Sequence, residues 1–274
     1  MSRGFGLLAG AAAALALGFL LLPILAIFLR IPPGDLLAGM RSQAAMDALV
    51  VTLKTNAVAN VLIVAVGTPA AYALAGRQVR GRPLLLTLVE LPLVLPPAVA
   101  GIGLLAAFGR FGLLGRELDA LGVQVGFTQL AVVLAVTFVA GPFYLRAAIS
   151  AFEAVDPSLP AAARTLGAGP GRTFLRVALP LAGGGLGAGW ALSFARGIGE
   201  FGATIMFAGS LQGVTQTLSL AIYEQFDVDF DTALAVGAEL VIVSAAVLLA
   251  VKLVPAWRRS SSSSPAIFAP SASR

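Results

Sequence analysis

The chain has 274 residues, of which 58% are hydrophobic and only 11% charged, with a formal net charge of +5. Soluble globular domains carry about 25% charge, so lipid is the expected solvent for much of this chain. There is no cysteine and no histidine, which excludes disulfides, a thiol nucleophile, Cys-ligated metal and the usual proton shuttle.

A pI near 10.4 could suggest nucleic acid, but in a chain this apolar the arginines mark cytoplasmic loops instead. Taken in order, the first apolar run, 7–29, has no charge and can cross about 30 Å of hydrocarbon. It is too long for a secretory signal and no small-residue cleavage site precedes Arg30, so it reads as a retained span. Residues 30–48 form an external segment with Pro32-Pro33-Gly34 as a turn signal. The second span covers 49–75, with Lys54, Asn56 and Asn60 in its outer half, where Lys54 can snorkel. Arg77, Arg80 and Arg82 come next in a short basic loop.

The third span, 84–108, contains Glu90 and the run Leu91-Pro92-Leu93-Val94-Leu95-Pro96-Pro97. Its prolines remove backbone donors and break the helical ladder. Broken backbone survives in a bilayer only where protein or a water-filled cavity covers it, so this segment is expected to face the bundle interior. A pore role and a proline-kinked structural helix both fit. An external loop, 109–124, leads to the fourth span, 125–145, which Arg146 closes on the inside.

The fifth span, 179–207, opens on a glycine-rich run in which Gly185-x-x-x-Gly189 permits close helix packing. Further along, Arg196 and Glu200 stand four apart and can pair on one helix face. A charge at the bilayer centre costs about 2.5–3.5 kcal/mol on insertion scales, so such residues face the protein interior and are often functional. Residues 208–231 are external. Leu218, Ile222 and Phe226 recur there at helical spacing, which predicts a short amphipathic helix on the membrane or against another subunit. The sixth span, 232–254, includes Glu239, and a serine-rich tail over 260–274 has no means of burying a core and is expected to be disordered.

Basic residues test the topology. Arg3, Arg77, Arg80, Arg82, Arg146, Arg164, Arg172, Arg176, Lys252, Arg258, Arg259 and Arg274 fall in segments placed inside, against Arg30, Arg41, Lys54, Arg110 and Arg116 outside. Six spans with both termini cytoplasmic satisfy the positive-inside rule. The fold expected is therefore an all-α polytopic membrane protein forming a single transmembrane domain over 1–259.

The polar stretch between the fourth and fifth spans, 150–178, becomes a cytoplasmic loop. Asp156 can cap a helix start, Pro157 suits a first turn, and Gly167 supplies a left-handed stop. The helix so delimited is roughly 15 Å long. Ala161, Ala162 and Ala163 leave a bald patch where another surface can approach, and a second helix starts near Pro170 and runs towards Pro180. No G-x-x-x-x-G-K-[ST] phosphate loop occurs, so nucleotide hydrolysis, if any, belongs to another subunit.

Ala162-Ala163, Gly167 and Val177-x-Leu179-Pro180 resemble in register the EAA coupling loop of ABC-transporter permeases. Ala161 stands where that family often has Glu, so no charge recognition is assigned to it, and Val177 stands where Ile is common. Together with Leu91 to Pro97, Ala163 to Ala168 and Gly199 to Thr204, the chain is similar over roughly 50–255 to the permease of molybdate ABC transporters. The resemblance implies a type I importer permease fold in a bacterial or archaeal cytoplasmic membrane. It implies a homodimer, two cytoplasmic ATPase subunits that bind ATP and Mg, an extracytoplasmic oxyanion-binding protein, no cofactor on this chain and no enzymatic activity of its own. Coupling to the ATPase would fall to Ala161, Ala162, Ala163, Arg164, Thr165, Gly167, Leu179 and Pro180. Candidates for the translocation path or gate are Pro92, Pro96, Pro97, Arg196, Glu200, Phe201, Gly202 and Thr204. Sulfate and tungstate permeases are close relatives, and Glu200-Phe201-Gly202 resembles the sulfate family as well. A different class, an ion-coupled secondary transporter using Glu90, Glu200 and Glu239 as relays, stays open on these residues, although no internal repeat of the sort many such transporters carry is visible.

Overall fold

The computed structural model describes residues 3–76 and 79–260. Among them there is no strand. The helices are α1 (Arg3–Leu29), α2 (Pro33–Met40), α3 (Gln43–Ala75), α4 (Arg82–Val94), α5 (Pro97–Phe108), α6 (Gly115–Ala120), α7 (Gln129–Glu153), α8 (Ser158–Thr165), α9 (Pro170–Thr173), α10 (Leu179–Ile198), α11 (Gly202–Ala208), α12 (Leu218–Phe226) and α13 (Phe230–Ser260). A π-helical turn, Phe174–Ala178, joins α9 to α10. The tail beyond Ser260, expected to be disordered, lies outside the described residues, as does Arg77.

Five helices are long and apolar enough to cross a membrane, and the bent pair α4/α5 can supply a sixth. The core is the packing of α3, α7 and α10, where small residues let backbones approach. A Cβ at Gly185 would lie 2.5 Å from the Ala151 Cβ, and one at Gly189 would lie 2.7 Å from the Ala147 Cβ. The spacing expected to serve packing thus lies against α7. Polar bonds cross the same interfaces. Asn56 Nδ2 donates to the Phe194 carbonyl at 3.0 Å, Ser193 Oγ to the Ala140 carbonyl at 3.0 Å, and the Thr68 and Tyr144 hydroxyls are 2.6 Å apart. By contrast, α1 buries none of its span within the chain and packs on α13.

The structure refines the expected segments in four places. The segment 84–108 is two helices meeting at 112°. Pro96 and Pro97 have no N–H to continue the ladder, and Leu95 is extended, as residues before proline tend to be. Within this chain α4 buries no residue, while α5 buries Ala100, Gly101 and Leu104. The segment 179–207 breaks after Ile198, and at the start of the helix that follows the Ala203 N–H goes to the Glu200 side chain. The helix starting at Pro170 runs towards Pro180 as expected and continues through the π-turn into α10. Finally, α12 forms where the spacing places it, but it packs on α13 and α3 with Leu218, Leu220 and Ala221 buried. Its apolar face is satisfied within the chain, while Phe226 stays outward against Phe230.

Candidate functional site

Two sites carry the residues singled out in the sequence. The first is the loop between α7 and α10. Asp156 Oδ1 accepts the Ser158 N–H at 2.9 Å and so satisfies one free amide at the start of α8. These bonds to Ser158 hold its carboxyl below the usual aspartate value. At the other end Gly167 has φ +84°, Gly167 N–H donates to the Arg164 carbonyl, and Ala168 N–H donates to the Ala163 carbonyl, both at 3.0 Å. This is the Schellman closure expected of a glycine stop. Thr165 Oγ1 donates back to the Ala162 carbonyl. No residue of α8 is buried. Ala161, Ala162, Arg164 and Thr165 are exposed, flanked by the exposed apolar side chains of Leu159 and Leu166.

Leu179 and Pro180 play a different local part. In an α-helix the proline ring would meet the carbonyl of Arg176, four residues back. Widening the preceding turn avoids the clash, and Leu179 N–H instead reaches the Phe174 carbonyl. Leu179 packs on the main core, while Pro180 is exposed.

The second site is where the two broken helices cross. A Cβ at Gly202 would lie 2.8 Å from the Pro97 Cβ and 3.1 Å from the Ala98 amide nitrogen, so the α4/α5 elbow touches the α10/α11 break directly. Glu200, only 1% exposed, holds that break. Its Oε1 accepts the Ala203 N–H at 2.8 Å, and its Oε2 lies 2.8 Å from Arg196 Nη2 in a charge contact too poorly aligned for a hydrogen bond. Thr204 is buried and donates to the Phe201 carbonyl at 2.7 Å, and Phe201 packs on Tyr223 with ring centroids 5.1 Å apart. The structure therefore brings together Pro97, Arg196, Glu200, Phe201, Gly202 and Thr204. Pro96 caps α5 on the exposed side, and Pro92 lies apart, inside α4 and half-buried.

Two ion pairs are absent from the sequence expectations. Arg146 pairs with Glu90 and Arg82 with Glu153, tying α4 to α7 at both its ends. The available signal is Glu90 itself, an acid inside an apolar run, which calls for a basic partner. Glu239 is buried, and its Oε2 has no hydrogen-bond partner among the described residues.

Residues 63–258 match the family described as the binding-protein-dependent transport system inner membrane component. The chain belongs to this family. It is 46% identical over 237 residues to the molybdenum transport system permease protein ModB of Mycobacterium tuberculosis, covering 85% of this chain and 88% of that one. The Escherichia coli ModB is 38% identical over 212 residues, covering 77% of this chain and 92% of its own. Among solved structures, a bacterial ABC transporter for the import of alginate aligns with a TM-score of 0.72 over 92% of this chain and 95% of its own, at 16% identity. The MetNI methionine ABC transporter aligns with a TM-score of 0.58 over 78% of this chain and 97% of its own, at 20% identity. The fold of this binding-protein-dependent permease is thus that of ABC importer permeases.

Proposed function

We propose that this chain is the membrane-spanning permease subunit of an ATP-driven importer that moves molybdate across the cytoplasmic membrane by alternating access. The observation that carries the reading is the 46% identity to a molybdenum transport permease across 85% of the chain. Two permease copies form the translocation unit, with both termini of each in the cytoplasm. Two cytoplasmic ATPase subunits, which hold ATP and Mg, dock on the 150–178 loop through Ala161 to Thr165 and Gly167, with Leu179 and Pro180 anchoring the loop to the fifth span. An extracytoplasmic protein delivers the oxyanion.

Two physical arguments support the roles. The exposed surface of α8 (small alanines between Leu159 and Leu166) is shaped to lie in a groove of another subunit. The elbow at Leu95–Pro97 interrupts the backbone ladder while Pro96 and Pro97 stay exposed on this chain. Lipid cannot satisfy such backbone, so a second copy or a water-filled path covers it. That places the gate where Pro97 and Gly202 meet, with Pro92 on the approach. Arg196 balances Glu200 there, so the carboxylate does not repel an anion in transit.

The test is ATPase activity of the chain reconstituted with its ATPase subunits, with and without binding protein loaded with molybdate, tungstate or sulfate. Stimulation by the molybdate-loaded form is expected. Stimulation only by sulfate or tungstate reassigns the substrate. Uptake that tracks a proton gradient without ATPase activity overturns the reading in favour of an ion-coupled transporter.

A further inference from the structure

Because α8 buries nothing of its own, a force on it reaches the spans through the segments on either side of it, the short link from α7 and the elements that follow. The neighbours of α8 are α9 and the π-turn. Phe174 is the first residue of that turn, and its ring is half-buried between two others. It lies 4.8 Å, centroid to centroid, from Tyr72 near the end of α3 and 6.2 Å from Phe152 near the end of α7. Tyr72 and Phe152 themselves meet edge to face at 5.3 Å. The two Phe174 pairs are tilted, at interplanar angles of 45° and 43°, and aromatic contacts favour particular arrangements over others.

The two helix ends are also locked to one another beside the rings. Arg82 Nε donates to the Leu74 carbonyl at 2.9 Å, and its guanidinium pairs with Glu153. Leu74 lies two residues beyond Tyr72 and Glu153 one beyond Phe152. A single ring thus touches the ends of both core spans after those ends have been fastened together. The same residue's carbonyl accepts the Leu179 N–H that begins α10. Phe174 therefore connects the loop to α3 and α7 through its side chain and to α10 through its backbone.

We propose that the Tyr72–Phe152–Phe174 ring cluster is the joint through which displacement of α8 becomes movement of the spans, with Phe174 as its positioning residue. The proposal rests on the coupling role assigned to α8 above. It separates that role into two parts: the exposed face of α8 receives the motion, and the ring behind it passes the motion on.

The experiment uses the complete complex of permease, ATPase subunits and binding protein in vesicles, with molybdate as probe, and reads molybdate taken up per ATP hydrolysed. Phe174→Ala is expected to lower that ratio roughly tenfold, the scale of a typical coupling between sites, while hydrolysis continues. Phe174→Tyr, which restores the ring, is expected to recover the native ratio. Phe174→Leu keeps an apolar side chain without a ring, is expected to lower the ratio in the same direction, and decides the matter if the alanine variant does not assemble. A native ratio in Phe174→Leu or in an assembled Phe174→Ala overturns the joint alone. A native complex that takes up no molybdate on ATP addition overturns the importer reading, and the joint with it.

Discussion

Arg196 lies in the last turn of α10 and Glu200 just beyond the end of that helix, yet their side chains meet at 2.8 Å. The acid is almost wholly buried and the base only partly so. One carboxylate thereby does two things: it holds the positive charge with one oxygen and caps α11 with the other. The break between the two helices is built from this side chain.

Glu200→Gln separates those two tasks. The amide oxygen can still accept the Ala203 N–H, but Arg196 loses its counter-charge. A loss of about 1–3 kcal/mol is expected, as for a buried polar group deprived of its partner. Glu200→Ala loses the cap as well and should be worse. Thermal unfolding of the purified permease reads both, and an unchanged midpoint for Glu200→Gln refutes the stabilising pair.

Gly202→Ala tests the crossing of the two broken helices. The added methyl would sit against the Pro97 Cβ and the Ala98 backbone, neither of which is the end of a flexible side chain. Overpacking of this kind costs about 1–3 kcal/mol. The expected result is a lower unfolding midpoint together with impaired uptake. Native behaviour in both would show that the elbow can yield at no cost.

At Gly167 the backbone itself is the constraint. With φ at +84°, a residue bearing a Cβ is strained by about 1–2 kcal/mol, and a β-branched one by at least that. Gly167→Val should open the Schellman closure and shift α8. Uptake is then expected to fall while ATP hydrolysis persists. Normal uptake with normal stimulation by loaded binding protein would remove Gly167 from the coupling path.

Acid should loosen the start of α8. The Asp156 carboxyl is held below its ordinary value of 3.8 by its bonds to Ser158. A depressed folded value means the cap contributes fully above 3.8 and is lost as pH falls through the lower, folded value. The protection of the Ser158 amide, its exchange rate taken relative to the intrinsic rate at the same pH, should therefore fall on acidification in the native chain. In Asp156→Asn, which has no carboxyl to titrate, that pH step should vanish, and its persistence would assign it to another group.

Much of this arrangement can be read from the residues alone, and the parts that cannot share a cause. The apolar runs around α3, α7 and α13 are long, and Gly167 and the Pro96-Pro97 pair act on their own backbone, so local rules place them. Arg196 and Glu200 are near enough in sequence for spacing to suggest the contact. The Glu90–Arg146 pair is separated by 56 positions and the Asn56–Phe194 bond by 138, distances over which periodicity carries no information. The end of α10 escapes a hydropathy reading because the apolar run continues to Phe207, whereas the break is marked by a polar side chain that caps the helix after it. The 112° at the elbow likewise depends on what α5 packs against, not on the prolines that permit it.

The π-turn before α10 has a consequence for residue number. A turn closed by a bond five residues back accommodates one residue more than an α-turn does. Each residue of an α-helix advances the side-chain direction by about 100°. Because the widened turn absorbs its extra residue in place of that rotation, deleting one residue from 174–178 would restore an α-turn, keep the face bearing Gly185 and Gly189 near Ala151 and Ala147, and set the Pro180 ring against the carbonyl four residues back. Apart from Phe174, the stretch needs its length for Pro180 and not for the phase of the helix core, so a single-residue deletion there combined with Pro180→Ala is expected to be tolerated better than the deletion alone.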